Sequence, residues 1–371
     1  MIPNTEAEVA EIICSADGPL RIEGGGTRSG WWPASGARLR TAGLSGITLH
    51  EPGALTLVAK AGTPVCEVRA ALRAENQRLA FEPMDHRALL GTTGEPTIGG
   101  VVAGNVSGPR RIAVGAARDF MLGVRVVDGA GRILKNGGRV MKNVTGYDLV
   151  RLMTGSHGTL GVLSEVSLKV LPDVESAATL TLSGLSDRQA VEALSAALGS
   201  PFEVTGAAHD PEAGKTRLRI EGFADSVTYR AGRLQERLAP FGPVEVQEGK
   251  EATAETWAAI RDVTDFADRA GDVWRLSVKP SDAPALVARS GADTVRYDWG
   301  GGLVWLLMPA GADLRANLGH FQGHATLIRA GEATRRALPV FQPENPVLAR
   351  LSAGLRSKFD PRGILNPGVM A

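Results

Sequence analysis

Apolar and polar positions in this chain alternate with two different periods. Near the start, Thr5 and Glu8 have the form of a capping box, and Val9, Ile12 and Ile13 follow at helical spacing. That pattern predicts a short helix over about residues 5–16. Residues 19–23 and 54–61 read as strands. Thr63 and Pro64 then read as N-cap and first residue of a helix with Val65, Val68, Leu72 and Leu79 on its apolar face. Residues 122–128 and 132–134 flank Gly129-Ala130-Gly131 and predict a hairpin. Alternation over 162–170 predicts a strand that stops at Leu171-Pro172, a domain boundary.

Beyond residue 175 the texture changes. Runs at 178–182, 216–221, 274–278 and 303–308 read as strands, and 187–198 and 226–238 as helices. This order suits an α+β domain with helices on one face of an antiparallel sheet. Asn345-Pro346 marks another helix start, and Leu348, Leu351, Leu355 and Phe359 form an apolar stripe after it. Asp360-Pro361 and Asn366-Pro367-Gly368 are closing turns.

Two glycine-rich stretches interrupt the first third: Gly24-Gly25-Gly26-Thr27-Arg28-Ser29-Gly30, and Thr97 to Gly108. Glycine lets backbone N–H groups approach a ligand closely, and successive N–H groups in such turns suit a diphosphate. A dinucleotide fingerprint of the Rossmann type needs a helix directly after its glycines. Trp31, Trp32 and Pro33 stand there instead, so that motif is rejected. The expectation is a large phosphorylated cofactor held between two loops.

Charge narrows the partners. The 371 residues carry 41 basic and 40 acidic side chains, a net +1, so no global field recruits nucleic acid. Arg110-Arg111 reads as a short solvated pair. The two cysteines, Cys14 and Cys66, are too few for a metal or iron–sulfur site and read as buried thiols. No metal site is expected. No basic region precedes an apolar run at the start, and no eighteen-residue apolar stretch occurs. The expected location is cytoplasmic, with any attachment to the inner membrane made through partners.

The chain resembles the vanillyl-alcohol oxidase / p-cresol methylhydroxylase (PCMH) flavoproteins. The residues that carry the likeness are 22–30, Gly99-Gly100 with Asn105 and Gly108, 115–123, Asn143 to Leu149, 155–161, Phe359-Asp360-Pro361, and 365–368. Within that family it looks like the FAD-binding subunits of bacterial glycolate oxidases, through Trp274-Arg275-Leu276-Ser277, Asp298 to Gly302 and 323–329. The resemblance implies an α+β chain: a PCMH-type FAD-binding domain of two α/β subdomains over 1–172, an α+β cap over 173–335, and a C-terminal segment, 336–371, returning to the FAD domain.

It also implies the cofactor site. Gly24, Gly25, Gly26, Thr27, Arg28, Ser29 and Gly30 would wrap the FAD diphosphate. Thr97, Gly99, Gly100, Asn105, Ser107 and Gly108 would run beside the ribityl chain and ring, with Asp119 nearby. Gly158, Gly161 and Val162 would line the adenine end, and Asn366 would lie near the flavin. No histidine is expected near the first loop, so FAD is expected to be non-covalent.

Relatives that oxidise 2-hydroxy acids carry a His-x-x-Gly-Asp-Gly-Asn-x-His motif in the cap, and this chain has none. His320 and His324 are spaced by four, but 325–328 reads as a strand, so His324 acting alone is the simpler expectation. In a self-sufficient enzyme His324 or His320 would be the base and Arg275 or Arg329 would pair with the carboxylate; the alternative for either arginine is a surface or sheet-edge charge. The leading reading is an FAD-binding subunit of a glycolate oxidase complex. Its partners would be a related catalytic flavoprotein subunit and an iron–sulfur subunit, with the 2-hydroxy acid bound here or only at the partner. The alternatives are a self-sufficient FAD-dependent 2-hydroxy-acid dehydrogenase, and a scaffold with a vestigial flavin site, against which the two intact glycine loops argue. Trp31-Trp32 reads equally as a partner surface or as internal packing.

Overall fold

The computed structural model describes residues 1–28, Trp31, 35–140 and 146–370. Of the expected site and motif residues, Ser29, Gly30, Trp32 and Asn143 to Thr145 lie outside the described residues. The chain forms two compact units. One comprises Met1–Ser107, Gly115–Asp173 and Pro343–Ala371; the other comprises Gly108–Val114 and Val174–Gln342. The segment 108–114 therefore belongs with the second unit, although the first unit surrounds it in sequence.

The first unit opens with a helix at Glu6–Ser15, whose N-cap Thr5 accepts from the Glu8 backbone N–H. Glu8 reaches back to the Asn4 N–H, at 2.8 Å, one residue short of a reciprocal capping box. Val9 and Ile13 bury against Leu20, Leu39, Val127, Val162 and Leu365. Leu20–Glu23 pairs in parallel with Ala37–Arg40. A five-stranded antiparallel sheet runs in the order Ile47–Glu51, Thr56–Lys60, Val162–Lys169, Met121–Val127, Ile133–Gly137. The second helix begins at Val65, with Pro64 as N-cap. Thr63 cannot cap it because its hydroxyl is spent on Lys60 O (2.7 Å) and on the Gly46 N–H (3.0 Å). That helix ends at Ala74, so Leu79 is buried beyond it rather than on its face. Leu171–Pro172 pairs with Gln77–Arg78.

The second unit is built on an eight-stranded antiparallel sheet. Its order is Val244–Glu248, Ser176–Ser183, Lys215–Gly222, Gly206–Asp210, Thr294–Asp298, Leu303–Met308, Asp272–Val278, Gly323–Arg329. One face is apolar. Leu180, Leu218 and Ile220 pack there with Leu194 and Leu234 of the helices Asp187–Leu198 and Ala224–Leu238. Trp274, Leu276, Val304 and Leu306 extend the same layer. Strand residues alternate between faces, so Thr179, Arg219, Arg275, Trp305 and His324 project from the other side. The helix Lys250–Asp262 covers part of that side. Its Trp257 donates to Thr179 Oγ1 at 3.1 Å and lies under the Arg219 guanidinium, 4.7 Å from the ring centroid. Helices thus occupy both faces, not one as the β-α-β-α spacing suggested.

Both cysteines are free and exposed, not buried. Arg110 is not solvated either: it is buried in a bidentate pair with Glu221, with Nε–Oε2 and Nη2–Oε1 both 2.8 Å. Arg111 lies over the Trp299 ring, 4.6 Å from its centroid. Trp299 Nε1 donates to Gly108 O at 3.1 Å. These contacts fasten 108–114 to the sheet of its own unit. No helix among the described residues is long and apolar enough to cross a membrane.

Candidate functional site

An open cleft lies in the first unit. Gly24, Gly25, Gly26, Thr27, Arg28, Thr97, Gly99, Gly100, Gly158 and Gly161 all line it. The two glycine stretches are pressed together. A Cβ on Gly24 would stand 2.3 Å from Thr97 Oγ1, and one on Gly25 would stand 1.6 Å from Glu95 O. Side chains are excluded there, so backbone forms the wall. Thr97 caps the short helix Ile98–Ala103 by accepting from the Gly100 N–H, at 3.2 Å.

Three charged residues line this wall: Arg21 and Glu23, which pair with each other at 2.5 Å, and Arg28. One Arg28 guanidinium nitrogen donates to Gly100 O, while Nη1 is buried with no hydrogen-bond partner. Burial lowers the Arg28 pKa to about 10. A buried cation with an unsatisfied donor fits a ligand that brings negative charge. The diphosphate of FAD brings that charge, and the glycine walls leave room for it.

The other expected cofactor residues are placed differently. Asn105, Ser107 and Asp119 knit one turn region. Asn105 Oδ1 accepts from Arg118 N (3.0 Å), Ser107 Oγ from Ala117 N (2.9 Å) and Asp119 Oδ2 from Ala116 N (2.8 Å). Val162 is core, and Gly108 lies in the second unit. Asn366 supports the cleft rather than lining it. It accepts from Ile22 N at 2.7 Å and donates to His157 O at 2.8 Å, joining two cleft edges. Sequence reading missed His86 and His157, which line the cleft and flank Trp31 with ring centroids 6.1 and 5.6 Å away. The premise that no histidine stands near the first loop therefore fails in three dimensions. Trp31 itself is buried.

The four candidate chemical residues separate clearly. Arg329 serves the backbone, donating to Phe266 O (2.7 Å), Ala267 O (3.1 Å) and Arg269 O (2.6 Å). It is not available for a carboxylate. His320 lies exposed, before the strand that carries His324. Arg275 and His324 share a sheet face, because Arg275 pairs with Thr326 and Ser277 with His324. They are diagonal neighbours, with Cα atoms ~7–8 Å apart. Arg275 Nε is buried with no hydrogen-bond partner, and its pKa is pushed down to about 10 by burial, with the Arg111 charge adding to the effect. His324 keeps solvent contact, yet partial desolvation of its ring lowers its pKa, and the Arg275 and Arg111 cations push the same way. The second unit thus presents two cations and a neutral-leaning imidazole. Among the described residues no group of three or more His, Cys, Asp or Glu could hold a metal ion.

This architecture defines a PCMH-type FAD-binding flavoprotein. A structure of alkyldihydroxyacetonephosphate synthase superimposes over 99% of this chain and 76% of its own, with TM-score 0.70 and 15% identity, a likeness of fold alone. A family model described as an FAD binding domain matches residues 1–137. The glycolate oxidase subunit GlcE of Escherichia coli is 36% identical over 95% of this chain and 92% of its own length. The glycolate oxidase subunit GlcD of Bacillus subtilis is 38% identical over 109 residues, 29% of this chain and 22% of its own. The chain belongs to the FAD-binding oxidoreductase family that includes the glycolate oxidase subunit GlcE.

Proposed function

We propose that this chain is the FAD-binding subunit of a 2-hydroxy-acid oxidase acting on glycolate. It would work with a related flavoprotein subunit and an iron–sulfur subunit that takes the electrons onward. The near full-length likeness to GlcE supports the subunit reading. The location that goes with it is cytoplasmic, with any membrane contact made by partners.

One structural observation favours substrate chemistry on this chain as well: Arg275, whose Nε is buried without a hydrogen-bond partner, beside Arg111 and His324. A guanidinium held this way is matched to a carboxylate, which would complete its hydrogen bonds. His324, neutral at pH 7, can accept the hydroxyl proton of a 2-hydroxy acid as the C–H hydride leaves. FAD, when bound, supplies the hydride acceptor. In the cleft, Arg28 and the glycine backbone would hold its diphosphate non-covalently.

The test is the absorbance spectrum of the purified chain, followed by anaerobic glycolate. About one flavin per chain, released on denaturation, supports the cofactor assignment. Bleaching by glycolate in the isolated chain places oxidation here; bleaching only with the partner subunits leaves this chain as a relay. A colourless protein that takes up no added FAD overturns the reading.

A further inference from the structure

The apolar stripe seen in the sequence after Asn345 has no partner among the described residues. The helix Pro346–Phe359 contains no buried residue. Val347, Leu348, Leu351 and Leu355 are 58%, 50%, 61% and 43% exposed. The helix is firmly tied at its ends. Asn345 Oδ1 accepts from Val347 N and Leu348 N, at 3.1 and 3.0 Å. Phe359 O accepts from Gly129 N at 2.7 Å, and Arg356 donates to Val369 O and Met370 O. Between those ties no described residue covers its apolar side chains. A helix of this length is marginal in water without tertiary packing, and aliphatic side chains clustered on one surface mark an interaction site.

Charge specifies the occupant. Residues 346–359 contain Arg350, Arg356 and Lys358 and no carboxylate. A second copy of the same helix would bring like charges together, which disfavours self-association. The exposed part of the stripe, Val347, Leu348, Leu351 and Leu355, is aliphatic, and Phe359 at the helix end is partly buried, so the exposed stripe presents no aromatic ring to anchor it in a lipid surface. We infer that this helix docks a partner subunit of the oxidase, through an apolar groove or helix face rimmed by carboxylates. The inference rests on the complex proposed above and names the surface that makes it.

The test is co-expression of the full chain with the GlcD-type flavoprotein and iron–sulfur subunits. Wild type is compared with Leu351→Glu/Leu355→Glu and with Arg350→Glu/Lys358→Glu. Flavin content and thermal midpoint of each variant alone should match wild type, since none of these side chains is buried. The leucine variant should lose roughly 30-fold or more in affinity for the partners, and the charge variant should weaken binding most at low salt. Wild-type assembly with unaffected variants overturns the docking surface alone. A wild-type chain that assembles with neither subunit overturns the complex reading and this inference together. Dimerisation of the isolated chain, or flotation on phosphatidylserine vesicles, that the leucine variant abolishes would assign the stripe to a second copy or to lipid and overturn the protein partner.

Discussion

Replacing Arg275 by Met should make the protein more stable and poorer at holding a carboxylate. The Arg275 Nε is buried without a partner, and burial brings the pKa down to about 10. At about 1.4 kcal/mol per unit, that displacement bounds the penalty near 3 kcal/mol. The side chain keeps some solvent contact, so screening reduces the recoverable part to ~1–2 kcal/mol. A Met of similar length removes the charge and keeps the packing, as in replacements of buried charges by apolar residues. The expected result is a thermal midpoint raised by roughly 2–6 °C in the absence of substrate. The penalty holds at every pH below about 10, because the unfolded guanidinium stays protonated throughout, so the gain should not vary between pH 6 and 9. Carboxylate affinity should fall by roughly 30-fold to 1000-fold, the loss expected when one side of a charge-assisted pair is removed. Thermal scans of the flavin-loaded chain with and without oxalate read both quantities. A variant that is destabilised, and that binds oxalate as wild type does, would refute the reasoning.

Three further outcomes follow from the same contacts. Glu221→Gln should lower stability by ~3–5 kcal/mol in urea, because it removes the Glu221 carboxylate from the buried Arg110 and from the buried Arg219 3.6 Å away; a loss under 1 kcal/mol would show the pair to be solvated. His324 has a folded pKa below its ordinary value, so the unfolded chain binds the extra proton and stability should decline as pH falls from about 6.5 through the lowered pKa; His324→Gln should flatten that slope, and an unchanged profile would count against it. Gly25→Ala should abolish flavin retention, since its Cβ would strike Glu95 O, whereas Gly53→Ala, with open space around it, should keep the flavin content of wild type.

Much of the local structure was legible in the sequence. Periodicity and caps located the helices at Glu6–Ser15, Asp187–Leu198 and Pro346–Phe359 and the strands on both sides of them, because those signals act within a few residues. The glycine stretches were legible for the same reason: a wall without side chains is written in the residues that form it. The candidate site was only partly so. Asp119 and Asn105 read as flavin contacts in the sequence; in the fold one side-chain oxygen of each accepts from a backbone N–H, of Ala116 and of Arg118.

What the sequence determined by itself is therefore part of the set of elements, without the helix Lys250–Asp262 or the strands Gly206–Asp210 and Thr294–Asp298, together with the apolar stripe after Asn345 and the two glycine loops. Tertiary structure alone decided which distant residues meet. Glu221 pairs with Arg110, 111 positions earlier, so a doublet that reads as surface charge becomes core. Register across the strands Asp272–Val278 and Gly323–Arg329 sets Arg275 and His324 on one face, while Arg329, five residues after His324, turns to serve backbone carbonyls. His86 and His157 reach the cleft beside Trp31 from far along the chain. The physical reason is range: dihedral preference and capping are properties of neighbouring residues, whereas burial, ion pairing and desolvation are fixed only when sheet register brings separate segments together.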